Sequence, residues 1–516
     1  MLVNQFLTQS IEKYPDKEAL ICSGWRYSYK DIGEKVKDFT NILLTKELEK
    51  SDRVVIYLEN SLESVVAIFS ILEAGGVFVV VNPQMKSKKM SYIINDSGAK
   101  ILITDKVHLN QIDDVMGECK FLQDVFLVDY EDSLNVKNKT INLNPFNSVK
   151  DIIDKRNQVL NIVDEDLASI IYTSGSTGFP KGVTLTHLNM SSAADSIINY
   201  LENNSDDIIF NVLPLSFDYG LYQVLMAFKF GGTIVLEKSF IFPHHVLQRI
   251  KEENATGFPI VPAIANILLR LKDLSKYELP SLRYITNTAQ KLPKKTIFSL
   301  IDAFPNVKIY SMYGLTECKR VSYLPPEKLK EKPDSVGQSM PNTEAFLVDD
   351  RGKRITKPNV IGELVVRGPN IMVGYWNKPE ETAKVIKTGD DSKDRLLYSG
   401  DLFSMDSDGD LYFQGRKDDM IKTAGEKVSP KEIENVLYEL DDIQEAAVFG
   451  VQDDILGQAI KAVVALRKDS TLTDKEIIGH CLKHLENFMV PKFVEIRGEL
   501  PKTTTGKISK KELIDN

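Results

Sequence analysis

Two continuous apolar runs joined through one amphipathic segment constrain the fold more than anything else in the chain. Arg53-Val-Val-Ile-Tyr-Leu58 and Val77-Phe-Val-Val-Val81 are apolar along their whole length and do not alternate with polar residues. A strand of that kind must be covered on both faces. Between them Leu62 to Glu73 carries helical periodicity and is closed by Gly75-Gly76. Strand, helix and doubly covered strand in succession is the rhythm of parallel sheets in an α/β protein. It returns from Ile208 to Val235, where Gly231-Gly232 ends a helix before Thr233-Ile-Val-Leu236. No short repeat of fixed period is present, so a solenoid is not expected.

From Gly362 the pattern changes. Glu363 to Arg367, Leu397-Tyr398 and Leu411 to Gln414 read as short strands between Gly, Asp and Pro turns, with Asp406-Ser-Asp-Gly409 the strongest turn signal. That is the texture of an antiparallel region. After the polar junction Gly415-Arg416-Lys417-Asp418 a compact α+β unit follows. Pro430 to Leu440 and Asp474 to Leu485 read as helices, Ala447 to Val451 and Ala459 to Leu466 as strands. These residues form a separate small domain.

Composition excludes several classes of function. The 516 residues carry a net charge of −9, without the basic stripe or tail of a duplex-binding protein, so no nucleic-acid partner is expected. Small anionic ligands remain compatible with local backbone N–H groups and a few cations. Cys22, Cys119, Cys318 and Cys481 lie far apart and read as reduced thiols, and the six histidines show no metal-ligand spacing. The most apolar stretch, Val65 to Val81, is interrupted by Glu73 and Gly75-Gly76, so no membrane span is expected. The N-terminus lacks the features of a signal peptide, and the chain reads as a cytoplasmic protein.

The sharpest chemical feature is Tyr172-Thr-Ser-Gly-Ser-Thr-Gly-Phe-Pro-Lys181-Gly182. Four hydroxyl side chains and three glycines after an apolar strand make a concave nest of N–H and O–H donors, to which Lys181 adds a point charge. It is neither a Walker A loop, since Pro180 precedes the lysine, nor a dinucleotide fingerprint. This segment resembles the phosphate loop of the adenylate-forming superfamily, which includes acyl-CoA synthetases, peptide-synthetase adenylation domains and firefly-type luciferases. Further matches follow in that family's order. Tyr313-Gly-Leu-Thr-Glu317 resembles its aromatic-Gly-x-Thr-Glu segment, and Ser399-Gly-Asp401 its ribose-binding segment. Gly415 to Lys422 with Gly425, Lys427, Pro430 and Glu432-Ile-Glu434 resembles its hinge motif. Pro501-Lys-Thr-Thr-Thr-Gly-Lys-Ile508 resembles its C-terminal lysine motif.

The resemblance implies a role for each of these positions. Thr173, Ser174, Gly175, Ser176, Thr177, Gly178 and Lys181 would hold the β- and γ-phosphates of ATP. Thr316 would lie near the α-phosphate and Glu317 would bind Mg²⁺, which takes one or two carboxylates plus phosphate oxygens and water. Tyr313 and Gly314 would line the adenine, Asp401 would accept the ribose hydroxyls, and Arg416 would add a ribose or phosphate contact. Lys507 would close over the reacting groups, Asp418 would be the hinge, and Gly425 and Lys427 would line the path of the thiol. Taken singly, Asp401 reads as a turn residue, Glu317 as a solvated acid at a helix start, and Lys507 as one of a solvated lysine cluster. The implied fold is α/β. A large N-terminal domain over 1–415 has doubly wound mixed sheets flanked by helices and a small antiparallel region, and a small mobile α+β lid over 416–516 follows a hinge at 416–419.

Phe217, Asp218, Tyr219 and Gln290 are expected to line the acid pocket. Asp218 stands where related amino-acid adenylation domains pair an aspartate with the substrate ammonium; the other reading is a helix cap. Lys319 and Arg320 either neutralise a polar or second acidic group on the substrate or are simply solvated. The implied function is an AMP-forming ligase. It activates a carboxylic acid with ATP to acyl-AMP and pyrophosphate, then forms a coenzyme A thioester. The alternative is loading of an acyl or aminoacyl group onto the phosphopantetheine arm of a separate carrier protein. No carrier domain is expected in this chain, because Asn516 follows closely on the C-terminal lysine motif.

Overall fold

The computed structural model describes residues 1–131, 136–137, 140–147, 161–173, 179–271, 274–288, 291–389, 394–417, 419–423, 426–453, 456–503 and 507–514. Two large sheets organise the first two-thirds of the chain. One has eight strands, with Arg53–Tyr57 central between Val77–Val80 and Ile101–Thr104, all parallel. The helix Leu62–Glu73 connects two of them, and its buried face from Ser64 to Leu72 packs into the main core. Its first turn is capped by Ser61, whose hydroxyl accepts from the Ser64 N–H at 3.1 Å. Val54, Val55, Ile56, Val77 and Val79 are fully buried, as the non-alternating runs require.

The same sheet carries the antiparallel hairpin of Leu167–Thr173 and Lys181–Thr186 towards one edge, with Thr173 opposite Lys181. The second sheet has nine strands. It runs parallel from Glu18–Cys22 through Thr233–Leu236, Ile208–Asn211, Gly257–Ile260 and Tyr284–Asn287 to Lys308–Tyr313, with antiparallel strands at both edges. The main hydrophobic core contains residues of both sheets and of the helices Leu62–Glu73, His187–Leu201 and Asp218–Phe230.

The antiparallel region from Gly362 is a five-stranded sheet with its own core around Val366, Leu397 and Phe403. The strand read as Leu397-Tyr398 extends over Arg395–Met405, because Gly400 at φ +71° lies in a bulge against the strand Gly362–Arg367, where Val365 faces Tyr398 and Glu363 faces Leu402. The last unit is a fourth sheet with strands from Ile421–Thr423 to Phe493–Arg497, flanked by the helices Pro430–Leu437 and Asp474–His484. It has a separate core around Val448, Ile460 and Ile477. The architecture is therefore the α/β class read from the sequence, a large domain of mixed sheets followed by a smaller one. Among the described residues no helix is long and apolar enough to cross a membrane.

All four cysteines are free and buried. One grouping bears on the expectation about histidines. His480 and His484 share a face of the helix Asp474–His484 at i,i+4, and with Glu439 they bring ligand atoms within 4.8 Å of one another, a spacing compatible with a metal. The i,i+4 pair is visible in the sequence; the partner from the turn after the neighbouring helix is not.

Candidate active site

The site forms where the hairpin, the loop after Lys308–Tyr313, the antiparallel sheet and the small domain converge. The loop from Tyr313 to Val321 doubles back tightly, with the Val321 N–H donating to the Tyr313 carbonyl at 3.0 Å. A Cβ at Gly314 would stand 2.2 Å from the Lys319 carbonyl oxygen, so only glycine allows this return. Lys319 in turn adopts φ +64°. The loop presents Thr316 and Glu317, both half-buried, so Glu317 is not a solvated acid at a helix start.

Asp401 is a strand residue, 4% exposed, and not a turn residue. Its Oδ2 accepts from the Tyr313 hydroxyl at 2.5 Å, and its Oδ1 lies 3.0 Å from Arg416 Nε, its cross-strand partner. That ion pair is close but is not aligned as a hydrogen bond, so Oδ1 remains without a hydrogen-bond partner. Burial raises the Asp401 carboxyl above the usual carboxylate range, while Arg416, the Tyr313 hydrogen bond and Lys507 pull it back. A buried acceptor beside a cation suits an incoming hydroxyl donor. The Tyr313 ring rests edge-on against Phe403, 4.8 Å between centroids.

Glu317 accepts at Oε1 from the Tyr375 hydroxyl at 2.7 Å. Tyr375 belongs to the short strand Gly374–Tyr375, paired to Lys181–Thr186 with Tyr375 opposite Val183. The Lys181 ammonium lies 5.2 Å from the Tyr375 ring centre and 2.7 Å from Glu381 Oε2. Bonds from Lys181 and Lys384 hold the Glu381 carboxyl down to about 2. Tyr375 and Glu381 are contributors that sequence reasoning missed, because a lone tyrosine and a helix-start glutamate carry no chemical signature in one dimension. If Lys181 serves phosphate, Glu381→Gln frees it. The expected result is an ATP KM lower by about two- to five-fold, the scale of one exposed ion pair. A KM that rises instead means that Glu381 positions the lysine.

Lys507 comes from the last unit, between Thr503 and the helix Lys510–Ile514. Much of its surface meets solvent, yet its ammonium stands among the charges of Asp218, Arg416, Asp401 and Glu317. Lost hydration draws it below the usual lysine value, and the three carboxylates oppose that shift. The small domain thus places a cation over residues of the large one.

At the acid pocket, Asp218 is the first residue of the helix Asp218–Phe230; Phe217 is its N-cap, and no side chain caps the helix. A Cβ at Gly220 would stand 2.4 Å from the Pro214 carbonyl oxygen, which fixes how closely this helix start packs on Leu213-Pro214. Phe217 is half-buried and meets the Tyr219 ring edge-on at 6.1 Å, and the Tyr219 hydroxyl donates to the Thr286 carbonyl at 2.9 Å. Lys319 and Arg320 are 5% and 2% exposed, which overturns the solvated reading of both. Lys319 Nζ donates to the Asp218 carbonyl at 2.7 Å and lies 3.3 Å from its Oδ2. The chain's own ammonium therefore occupies the position facing Asp218. Ser174, Gly175, Ser176, Thr177, Gly178, Gln290, Asp418 and Gly425 lie outside the described residues; Lys427 is described only as backbone in the strand Glu426–Val428.

The family model for AMP-binding enzymes matches residues 7–376, and the model for the AMP-binding enzyme C-terminal domain matches 432–507. A long-chain-fatty-acid–CoA ligase of Bacillus subtilis is 30% identical, covering 99% of this chain and 94% of its own. Oxalate–CoA ligase of Arabidopsis thaliana is also 30% identical, covering 97% of this chain and 95% of its own. Among solved structures, ATP-bound MatB from Rhodopseudomonas palustris aligns with a TM-score of 0.86 at 25% identity, over 100% of this chain and 99% of that one.

Proposed function

We propose specific roles for the residues of this chain, which belongs to the AMP-binding enzyme family. The chain is an AMP-dependent acid–thiol ligase, as the motif order implied. In the first step a carboxylate oxygen of the acid attacks the α-phosphorus of ATP, the α–β bridging bond breaks and pyrophosphate leaves. In the second a thiol sulfur attacks the acyl carbon, its proton is released and AMP leaves. Both partners of the first step are anionic, so positioning and charge neutralisation carry most of the catalysis.

The observation that supports the assignment best is the Lys507 ammonium among Asp218, Asp401, Glu317 and Arg416. In our reading Lys507 bridges the carboxylate and the α-phosphate, Lys181 and the hairpin loop hold the outer phosphates, and Thr316 borders the α-phosphate. Asp401 takes the ribose hydroxyls at its open Oδ1, beside Arg416, and Tyr313 with Gly314 borders the adenine. Glu317, half-buried with Oε1 held by the Tyr375 hydroxyl, would hold Mg²⁺, which would supply charge neutralisation at the phosphates. Residues 1–415 and 416–516 act as two bodies hinged at 416–419, and Gly425 and Lys427 belong to the thiol path. Coenzyme A is the acceptor, in the cytoplasm. A carrier protein loaded with an aminoacyl group is less well supported, because Lys319 already faces Asp218.

Pyrophosphate release with ATP, Mg²⁺ and a panel of fatty, aryl, dicarboxylic and amino acids tests the reading, followed by acyl transfer to coenzyme A. Release with one acid class and a CoA thioester as product are expected. No release with any acid refutes the ligase assignment. Transfer to a carrier protein but not to coenzyme A refutes the acceptor.

A further inference from the structure

We propose that the acid activated here carries a second anionic group, a distal carboxylate, which is bound by Arg320 at the inner end of the acid pocket. The inference rests on the ligase reading above and concerns only which acid is selected. It starts from three charged residues whose exposure falls in order, Asp218 at 8%, Lys319 at 5% and Arg320 at 2%. Asp218 is the most exposed of the three, and its charge acts on the Lys507 ammonium. Lys319 comes next and is fully provided for. It is bonded to Asp218 and lies 4.4 Å from the Tyr222 ring centre and 5.5 Å from that of Tyr219. Burial still draws its pKa down to about 8, with Asp218 opposing and Arg320 adding to the shift.

Arg320 is provided for only by neutral groups. Its guanidinium carbon lies 5.5 Å from the Tyr219 ring centre. The Tyr200 hydroxyl oxygen accepts a hydrogen bond from the guanidinium and gives its own proton to Met312 Sδ at 3.1 Å, and the ring is stacked on Tyr323 at 4.0 Å, so this partner is neutral. Among the described residues no carboxylate forms an ion pair with Arg320, and its Nε and Nη1 have no hydrogen-bond partner. The cluster therefore holds two cations against one carboxylate, +2 − 1 = +1, in a region walled by tyrosine rings.

A guanidinium does not shed its proton to escape burial, as an ammonium can. A buried charge without a partner is strongly unfavourable and persists where function supplies the partner. A carboxylate supplies the negative charge that Arg320 lacks, and an acceptor for the Nε or the Nη1 edge of its guanidinium. A hydrocarbon tail in the same place leaves the guanidinium unpaired, which discriminates against plain fatty acids by an unfavourable contact as well as by a missing favourable one.

The test compares matched acids on the full-length protein with ATP, Mg²⁺ and coenzyme A. Each monocarboxylic acid from butyric to decanoic is set against the dicarboxylic acid of the same length, from succinic to sebacic. The best dicarboxylic acid is expected to exceed its partner in kcat/KM by about 30-fold, and Arg320→Met to erase most of that ratio. The same substitution is expected to raise the midpoint of thermal unfolding, because it removes an unpaired buried charge; a structural arginine gives the opposite shift. A wild type that prefers the monocarboxylic partner at every length overturns the proposal while leaving the ligase reading intact, and needs no variant to fold. So does an ω-hydroxy acid that matches the best dicarboxylic acid, since the group recognised is then not anionic. The absence of pyrophosphate release with every acid of the wider panel refutes the ligase reading itself.

Discussion

Lys507→Ala is expected to slow acyl-adenylate formation by about 10²–10³-fold, the loss typical of removing one preorganised charge from a developing anion. Thioester formation from supplied acyl-AMP is expected to be largely intact. The separation follows from where the lysine comes from. Its ammonium feels the charges of Asp218, Asp401 and Glu317 of the large domain, but its backbone belongs to the last unit, tied to Thr503 through bonds in both directions. On the proposed hinge at 416–419 it would leave the cleft with that unit once the adenylate has formed, and the second step would not need it. Single-turnover rates for the two half-reactions on one preparation measure this. A comparable loss in both places Lys507 in a role that does not depend on domain position. Lys507→Arg sharpens the reading, because retained charge with altered reach should restore part of the first step only.

The sequence reveals this fold where strands are buried on both faces and helices are amphipathic. Leu62–Glu73 forms with the boundaries read from its periodicity and its closing glycines, and Val77–Val80 stops next to the expected end. In the antiparallel region the boundaries were too short, because Ser399-Gly400 reads as a break whereas a bulge carries Arg395–Met405 through it. At the candidate site, motif order singled out Glu317, Asp401 and Lys507, residues that are ambiguous singly and whose charges act on one another in the fold. It could not show that Tyr375 donates to Glu317 or that Glu381 holds Lys181, since both partners are remote in sequence and chemically ordinary. Lys319-Arg320 shows the limit most clearly. Two consecutive cations after a glutamate look like surface, and only the return of the loop at Gly314 turns them inward. That return is a backbone event, and composition does not encode the direction of a side chain across it.

Asp401→Ala is expected to lower kcat/KM for ATP by about 10²–10⁴-fold while leaving the protein folded. Two charge-assisted hydrogen bonds to ribose hydroxyls, at about 1.5–3 kcal/mol each, set that range. The carboxylate makes several contacts at once. Oδ2 holds the Tyr313 hydroxyl, and Oδ1 faces Arg416 at 3.0 Å with its own hydrogen-bonding capacity unspent. Removing it costs the nucleotide its acceptor and leaves Arg416 without that carboxylate. Asp401→Asn separates these contributions, because the amide can still accept one hydrogen bond but no longer balances the guanidinium. If the nucleotide contact dominates, the asparagine variant recovers part of the affinity for ATP. If the ion pair dominates, the two variants fall together. A 2′-deoxy analogue of ATP supplies the independent arm: the wild type should discriminate against it, and Asp401→Ala should not. A variant that keeps the wild-type preference for the ribose hydroxyl removes Asp401 from nucleotide recognition and leaves it as the carboxylate that anchors Tyr313.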